Sequence, residues 1–145
     1  MTNFSEDIPG SFRIVAIIAI IWMALGCMSY IMHVTMTPAD IAALPQGQQT
    51  FMNSTPPWVY ALFGIATWGG LAGAVLLFMK RRLAVTLLLV SLVAAVLQVL
   101  ANYFVQDAWN LLGGPVSLFM PVLIIGLGLF FWDYARSAAA KGWLQ

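Results

Sequence analysis

The chain has 145 residues, of which 62% are hydrophobic and 8% are charged. A soluble domain carries about 25% charged residues, so this chain has too few to cover a surface that faces water. The net charge of +1 leaves no extended basic patch, which argues against nucleic acid and for the lipid bilayer as the partner. The single Cys27 excludes a disulfide within the chain and a cysteine metal cluster.

The first apolar run follows a polar tail over residues 1–12. It covers about residues 13–33, which is too long for the apolar region of a typical signal peptide. A run of about twenty residues is long enough to cross about 30 Å of hydrocarbon as a helix. We therefore predict that this segment is the first membrane helix.

A connection over residues 33–57 follows the first helix and contains no Lys or Arg. Thr37 is suited to cap a helix, Pro38 suits its first turn, and Asp40 stands three residues after the cap. We predict one or two short amphipathic helices here, with a break near Pro45 and Gly47.

Two uncharged runs over residues 58–79 and 83–104 are separated by Lys80, Arg81 and Arg82. This pattern predicts a transmembrane hairpin with a basic turn. After a short polar connection, a fourth run covers residues 116–135, and Pro121 within it predicts a mild kink. The expected fold is one all-α domain, a compact bundle of four transmembrane helices.

The basic residues fall on one side of the predicted membrane. Lys and Arg in short loops stay cytoplasmic, so we expect both termini inside the cell, in a bacterial inner membrane. Asp133 is expected to form a cytoplasmic ion pair, most simply with Arg136, close to the turn at residues 80–82.

Small and polar residues form one stripe on each run, and such stripes mediate helix packing in lipid. The glycines expected to allow close packing are Gly26, Gly69, Gly70, Gly73 and Gly128. The Gly69–Gly73 spacing is suited to packing within the chain or to contact with a second copy, so a homo-oligomer and a larger membrane complex both stay open as partners.

The candidate site is a set of polar residues expected in the outer half of the bundle. Its members are His33, Gln98, Asn102, Tyr30, Tyr60 and Ser117. They could bind a quinone head group, a lipid or a sugar-like solute, or they could simply join helices through hydrogen bonds. The sequence predicts no cofactor, no metal and no catalytic residue, because no cluster of ligands or nucleophile with its base is spaced for that chemistry.

Several short motifs give the chain a resemblance to a known family. They are Met36-Thr37-Pro38, Pro57-Trp58, Gly69-Gly70-x-x-Gly73, Lys80-Arg81-Arg82-x-Ala84, Ser91-Leu92 and Gly142-Trp143-Leu144. The chain resembles small four-helix bacterial inner-membrane proteins of unknown function that are often labelled sugar-transporter-like. A more distant likeness in size and helix count is to the DoxX-like proteins. The resemblance implies the topology, and a transporter role only through the family label.

Three functions follow as expectations. The first is a non-enzymatic membrane protein that acts as an accessory or assembly subunit, or as a homo-oligomer. The second is a carrier for a small solute or lipid, with its site near His33, Gln98 and Asn102. The third is a quinone-linked redox subunit.

Overall fold

The computed structural model describes residues 8–145, so residues 1–7 of the predicted polar tail lie outside the described part of the chain. Within that part the protein is helical and contains no strand. Four helical segments are long and apolar enough to cross a membrane. They are Gly10–Val34, Pro57–Phe78, Leu83–Phe104 and Gly114–Ala140. The prediction of an all-α, multi-pass membrane fold is therefore confirmed.

The spans are joined by short helices and one basic turn. In chain order the helices are α1 (Gly10–Val34), α2 (Pro38–Ala42), α3 (Gln46–Asn53), α4 (Pro57–Gly64), α5 (Gly70–Phe78), α6 (Leu83–Phe104), α7 (Ala108–Leu111) and α8 (Phe119–Ala140). A π-helical segment, Ile65–Gly69, joins α4 to α5, and a 3-10 turn, Gly114–Leu118, precedes α8. We call the end that carries α2, α3 and α7 the loop end, and the end at Lys80–Arg82 the basic end.

Helix α6 lies in the middle of the bundle, with α5 on one side and α8 on the other, while α1 packs on α5 and the π-helical segment. Glycines bring these helices together. A Cβ on Gly73 would lie 3.0 Å from the side chain of Leu88, and one on Gly70 would lie 2.6 Å from Met23 Sδ. The backbone of α5 therefore touches side chains of α6 and α1 directly.

The other predicted packing glycines differ in their surroundings. A Cβ on Gly128 would lie 3.0 Å from Leu92, and one on Gly26 would lie 3.3 Å from Thr67. A Cβ on Gly69 would have no described atom within 4 Å apart from its chain neighbours and the backbone of its own helix. Close packing within the chain thus involves the predicted glycines other than Gly69, and the role predicted for Gly69 stays open for contact with a second copy.

The π-helical segment is a feature that the sequence pattern did not predict. The hydroxyl of Ser91 donates a hydrogen bond to the carbonyl of Ala66, and the hydroxyl of Thr67 donates to the carbonyl of Phe63 at 2.9 Å. Backbone groups need partners inside a membrane because lipid supplies none. Ser91 therefore both pairs a backbone carbonyl of the irregular turn and fixes α6 against it.

The basic end is closed by aromatic packing. The Phe12 ring is fully buried, stacks on Tyr134 at 6.2 Å between centroids, and meets the edge of Trp143 at 5.9 Å. The last residues fold back onto the basic turn, where the Gln145 N–H donates to the Lys80 carbonyl at 2.7 Å. These contacts join α1, α8 and the basic turn.

Asp133 forms the expected charge contact on this same end. Its carboxylate accepts a hydrogen bond from Arg136 at 2.7 Å, and both side chains are 60% exposed. An exposed pair one helical turn apart contributes about 0–1 kcal/mol to stability. The pair is therefore a surface feature of α8 and not a buried relay.

The fully buried residues of helix α8 lie in its basic half. Its buried residues are Phe131, Ala135 and Ala138. In the loop half Pro121 lies in the first turn of α8, directly after the 3-10 turn, and the kink expected there stays a prediction. The Ser117 carbonyl, four residues before Pro121, accepts a hydrogen bond from the Tyr103 hydroxyl at 2.8 Å instead.

Candidate functional site

A cavity of about 1150 Å³ lies at the loop end of the bundle. All four spans line it, through Met32 of α1, Phe63 of α4, Gln98 of α6 and Ile124 of α8. Its volume is slightly above the roughly 300–1,000 Å³ typical of ligand pockets. The cavity exists because α1 and α8 share little contact away from the basic end, where Phe12 joins them.

The connection between α1 and α4 forms part of the wall of this cavity beyond the spans, through Asp40 of α2, Leu44 between the two short helices, and Phe51 of α3. Helix α2 begins as predicted: the Asp40 N–H donates to Thr37 Oγ1 at 3.2 Å, and the Thr37 N–H donates to Asp40 Oδ2 at 2.9 Å. The hydrogen bond from the Thr37 backbone holds the pKa of the Asp40 carboxyl below its usual value. Asp40 therefore stays ionised, and this cap persists, down to acidic pH.

Gln106 fastens α3 to the end of α6, and the sequence did not single it out. Its side chain is 3% exposed, and its Nε2 donates to the Phe51 carbonyl at 3.0 Å and to Thr55 Oγ1 at 2.7 Å. Gln106 Oε1 is buried without a hydrogen-bond partner in the described chain. A glutamine directly after an apolar run was the available signal, but its partners lie about fifty residues away in the chain.

Five of the six candidate residues line this cavity. They are His33, Tyr60, Gln98, Asn102 and Ser117. Tyr30 does not line it, because its ring packs against Phe63 at 5.4 Å between centroids and lies beside Gly64. That any of the five binds a ligand stays a prediction. They come from four different helical segments, and the fold places them around one cavity.

Two of these five residues are already engaged within the protein. The Ser117 hydroxyl donates to the Gly114 carbonyl at 2.6 Å and lies 2.9 Å from the Tyr103 hydroxyl. His33 Nδ1 lies 2.7 Å from the Ser29 carbonyl, so Nδ1 carries the proton and donates, which leaves Nε2 for another partner. Tyr103 also lines the cavity and contacts Ser117 there, so we include it in the site.

The other three residues are polar and uncommitted. Gln98, Asn102 and Tyr60 make no side-chain hydrogen bond to the described residues. Gln98 lies about 9 Å below the end of α6 at Phe104, at about 1.5 Å per residue, and therefore at membrane depth. All three side chains are half-buried, so their polar groups can form hydrogen bonds with water or a ligand in the cavity.

The cavity does not extend towards the basic end. Beyond Gln98 the interior is filled by buried side chains of Met23, Cys27, Ser91 and Leu92. Close approach at Gly70, where a Cβ would lie 2.8 Å from Ser91 Oγ, leaves no space for a passage there. The described chain thus forms a cavity that is open at one end of the membrane and closed at the other.

The side of the cavity between α1 and α8 is apolar and exposed. The exposed fractions are 66% for Met32, 70% for Phe119 and 50% for Met120. In a four-span membrane protein such side chains face lipid. The arrangement thus combines a group of polar side chains within a mostly apolar cavity with an apolar wall that continues to the lipid.

Comparison of the chain with protein-family models, with curated proteins and with solved structures found no match.

Proposed function

We propose that this protein is a non-enzymatic binding protein for an amphiphile, which places its polar head in the loop-end cavity and its hydrocarbon chain between α1 and α8. The cavity carries this proposal, because uncommitted Gln98, Asn102 and Tyr60 line it within the loop-end part of the spans, beside the exposed apolar wall of Met32 and Phe119. A ligand with a polar and an apolar part matches both surfaces.

The other expected functions have less support. A carrier that moves its ligand across the membrane needs a second access route, and the packing of Met23, Gly70 and Ser91 gives none in this conformation. Roles as an accessory subunit, a homo-oligomer or a quinone-linked redox subunit stay predictions. Binding without transport is the function that a cavity closed at one end supports best.

We also propose that the protein lies in a bacterial inner membrane with both termini in the cytoplasm. The basic turn at Lys80–Arg82 and the pair Arg136 and Lys141 support this orientation, while Asp40 and Asp107 are the charges at the loop end. Lys and Arg near spans stay on the cytoplasmic side.

Cysteine labelling tests this orientation. Cys27 is the only cysteine and is 4% exposed, so its background labelling should be low. With an impermeant maleimide on intact cells, Ala43→Cys should react, whereas Ser137→Cys should react only after the membrane is permeabilised. The reverse pattern would place the basic end outside and contradict the proposal.

A substitution that fills the cavity tests amphiphile binding. Val99 lines the cavity on α6, whereas Val93 on the same helix is 49% exposed to lipid. We expect Val99→Trp to reduce the amount of co-purified lipid, measured by native mass spectrometry in mild detergent, by about tenfold, which corresponds to about 1.4 kcal/mol. Val93→Trp should leave it unchanged. Equal lipid occupancy in the two variants would show that the cavity is not the binding site.

A further inference from the structure

The charges around the cavity restrict the head group of its ligand, and this inference rests on the proposed function. No Lys or Arg lines the cavity in the described chain, and the ionisable residues beside its tyrosines are His33 and Asp40. A buried anion needs a cationic partner, and the carboxylate of Asp40 would repel an anionic head group. A phosphate-bearing head group therefore fits poorly.

A cationic head group also fits poorly in the deeper part of the cavity. Asp40 is exposed, lies on α2 at the loop end, and already accepts a hydrogen bond from Thr37. The polar residues there are Gln98 and Asn102, whose carboxamides carry no charge, and Tyr60, which offers a hydroxyl group. The interior of the cavity thus matches a head group without charge.

The hydrogen-bonding groups restrict the ligand further. Gln98 and Asn102 are four residues apart, so they lie on one face of α6. Each carboxamide offers two N–H donors and an acceptor, Tyr60 offers a hydroxyl, and His33 leaves its Nε2 available for a ligand. A hydroxyl group can donate and accept at once, whereas a carbonyl oxygen can only accept. Hydroxyl groups therefore pair more of these residues than a quinone can.

We propose that the ligand is an amphiphile with an uncharged head group that bears several hydroxyl groups, as in a glycosylated diacylglycerol. The amides of Gln98 and Asn102 bind the hydroxyls from α6, and Tyr60 and His33 bind them from α4 and α1. The acyl chains leave between α1 and α8, along Met32 and Phe119.

The test compares three lipids on the purified full chain in detergent, by titration followed with native mass spectrometry. They are a monoglycosyl diacylglycerol, phosphatidylglycerol with the same acyl chains, and an isoprenoid quinone. We expect the glycosyl lipid to bind at least about tenfold more tightly than the other two, which is measurable as a tenfold difference in Kd. The double variant Gln98→Leu, Asn102→Leu should lose this preference, and Thr86→Val, a polar-to-apolar change outside the cavity on the same helix, should keep it.

The outcomes separate the proposed amphiphile binding from the proposed identity of the head group. If phosphatidylglycerol or the quinone bound more tightly in the loop-end cavity than the glycosyl lipid, the head-group assignment would be wrong. The proposal of amphiphile binding would then still stand. Binding of none of the three lipids, with Val99→Trp also without effect on co-purified lipid, would overturn both. The lipid series on the unaltered chain gives this answer even if the double variant does not fold.

Discussion

Replacing Phe12 with alanine should lower the free energy of unfolding by about 3 kcal/mol or more, the usual cost of removing a buried phenyl ring. The ring is fully buried, and its contacts with Tyr134 and Trp143 join α1 to α8 and to the end of the chain. Removal of the ring leaves a void that α1 alone cannot fill. Ala16 and Ala135, which belong to the same core cluster as Phe12, are small and already buried.

The measurement is thermal or denaturant unfolding in micelles, followed by tryptophan fluorescence. Phe104→Ala is the matched control, because Phe104 is 84% exposed and its ring faces lipid or the head groups. We expect this control to change stability by no more than about 0.5 kcal/mol. If both variants lost the same stability, Phe12 would not join α1 to α8 in the membrane-embedded protein.

The length and charge of the apolar runs predicted the spans well, because hydropathy and the cost of unpaired backbone in lipid leave few alternatives. Helix α6 begins and ends where the uncharged run does, at Leu83 and Phe104. The start of α2 was predictable for a local reason as well, since Thr37, Pro38 and Asp40 act within one turn.

Features that depend on distant partners were not predictable from the sequence. The π-helical segment, Ile65–Gly69, accepts a hydrogen bond from Ser91 on another helix. Gln106 donates hydrogen bonds to Phe51 and Thr55 of the long connection. A helical pattern gives the spacing of such residues but not the partner that each one meets. The same limit applies to Tyr30, which stands near His33 in sequence yet packs away from the cavity.

The cavity itself arises from a departure from regular packing. Stripes of small and polar residues on all four runs predicted close packing of the spans, but Pro121 and Ile124 of α8, with Ser117 of the preceding 3-10 turn, line the cavity instead of packing on α1. Hydropathy does not detect such a gap, because residues that face lipid and residues that line the apolar part of a cavity are equally apolar. The polar residues Gln98 and Asn102 within an otherwise apolar run were the sequence signal that remained.

The pair Gly69 and Gly70 allows the sharpest test of packing, because the two residues are adjacent and their surroundings differ. We expect Gly70→Ala to lower the free energy of unfolding by about 1–3 kcal/mol, the usual cost of overpacking. Its Cβ would lie 2.6 Å from Met23 Sδ and 2.8 Å from Ser91 Oγ, so α1 or α6 must move. Unfolding in micelles at low protein concentration measures this change.

Gly69→Ala is both the control and a test of self-association. The position is open in the single chain, and alanine is favoured over glycine in a helix by about 1 kcal/mol. The variant should therefore be neutral or slightly more stable as a monomer. If Gly69→Ala instead destabilises the protein, and does so more strongly as the concentration in the micelle rises, a second copy packs on this glycine. The contrast between two adjacent glycines would then separate packing within the chain from packing between chains.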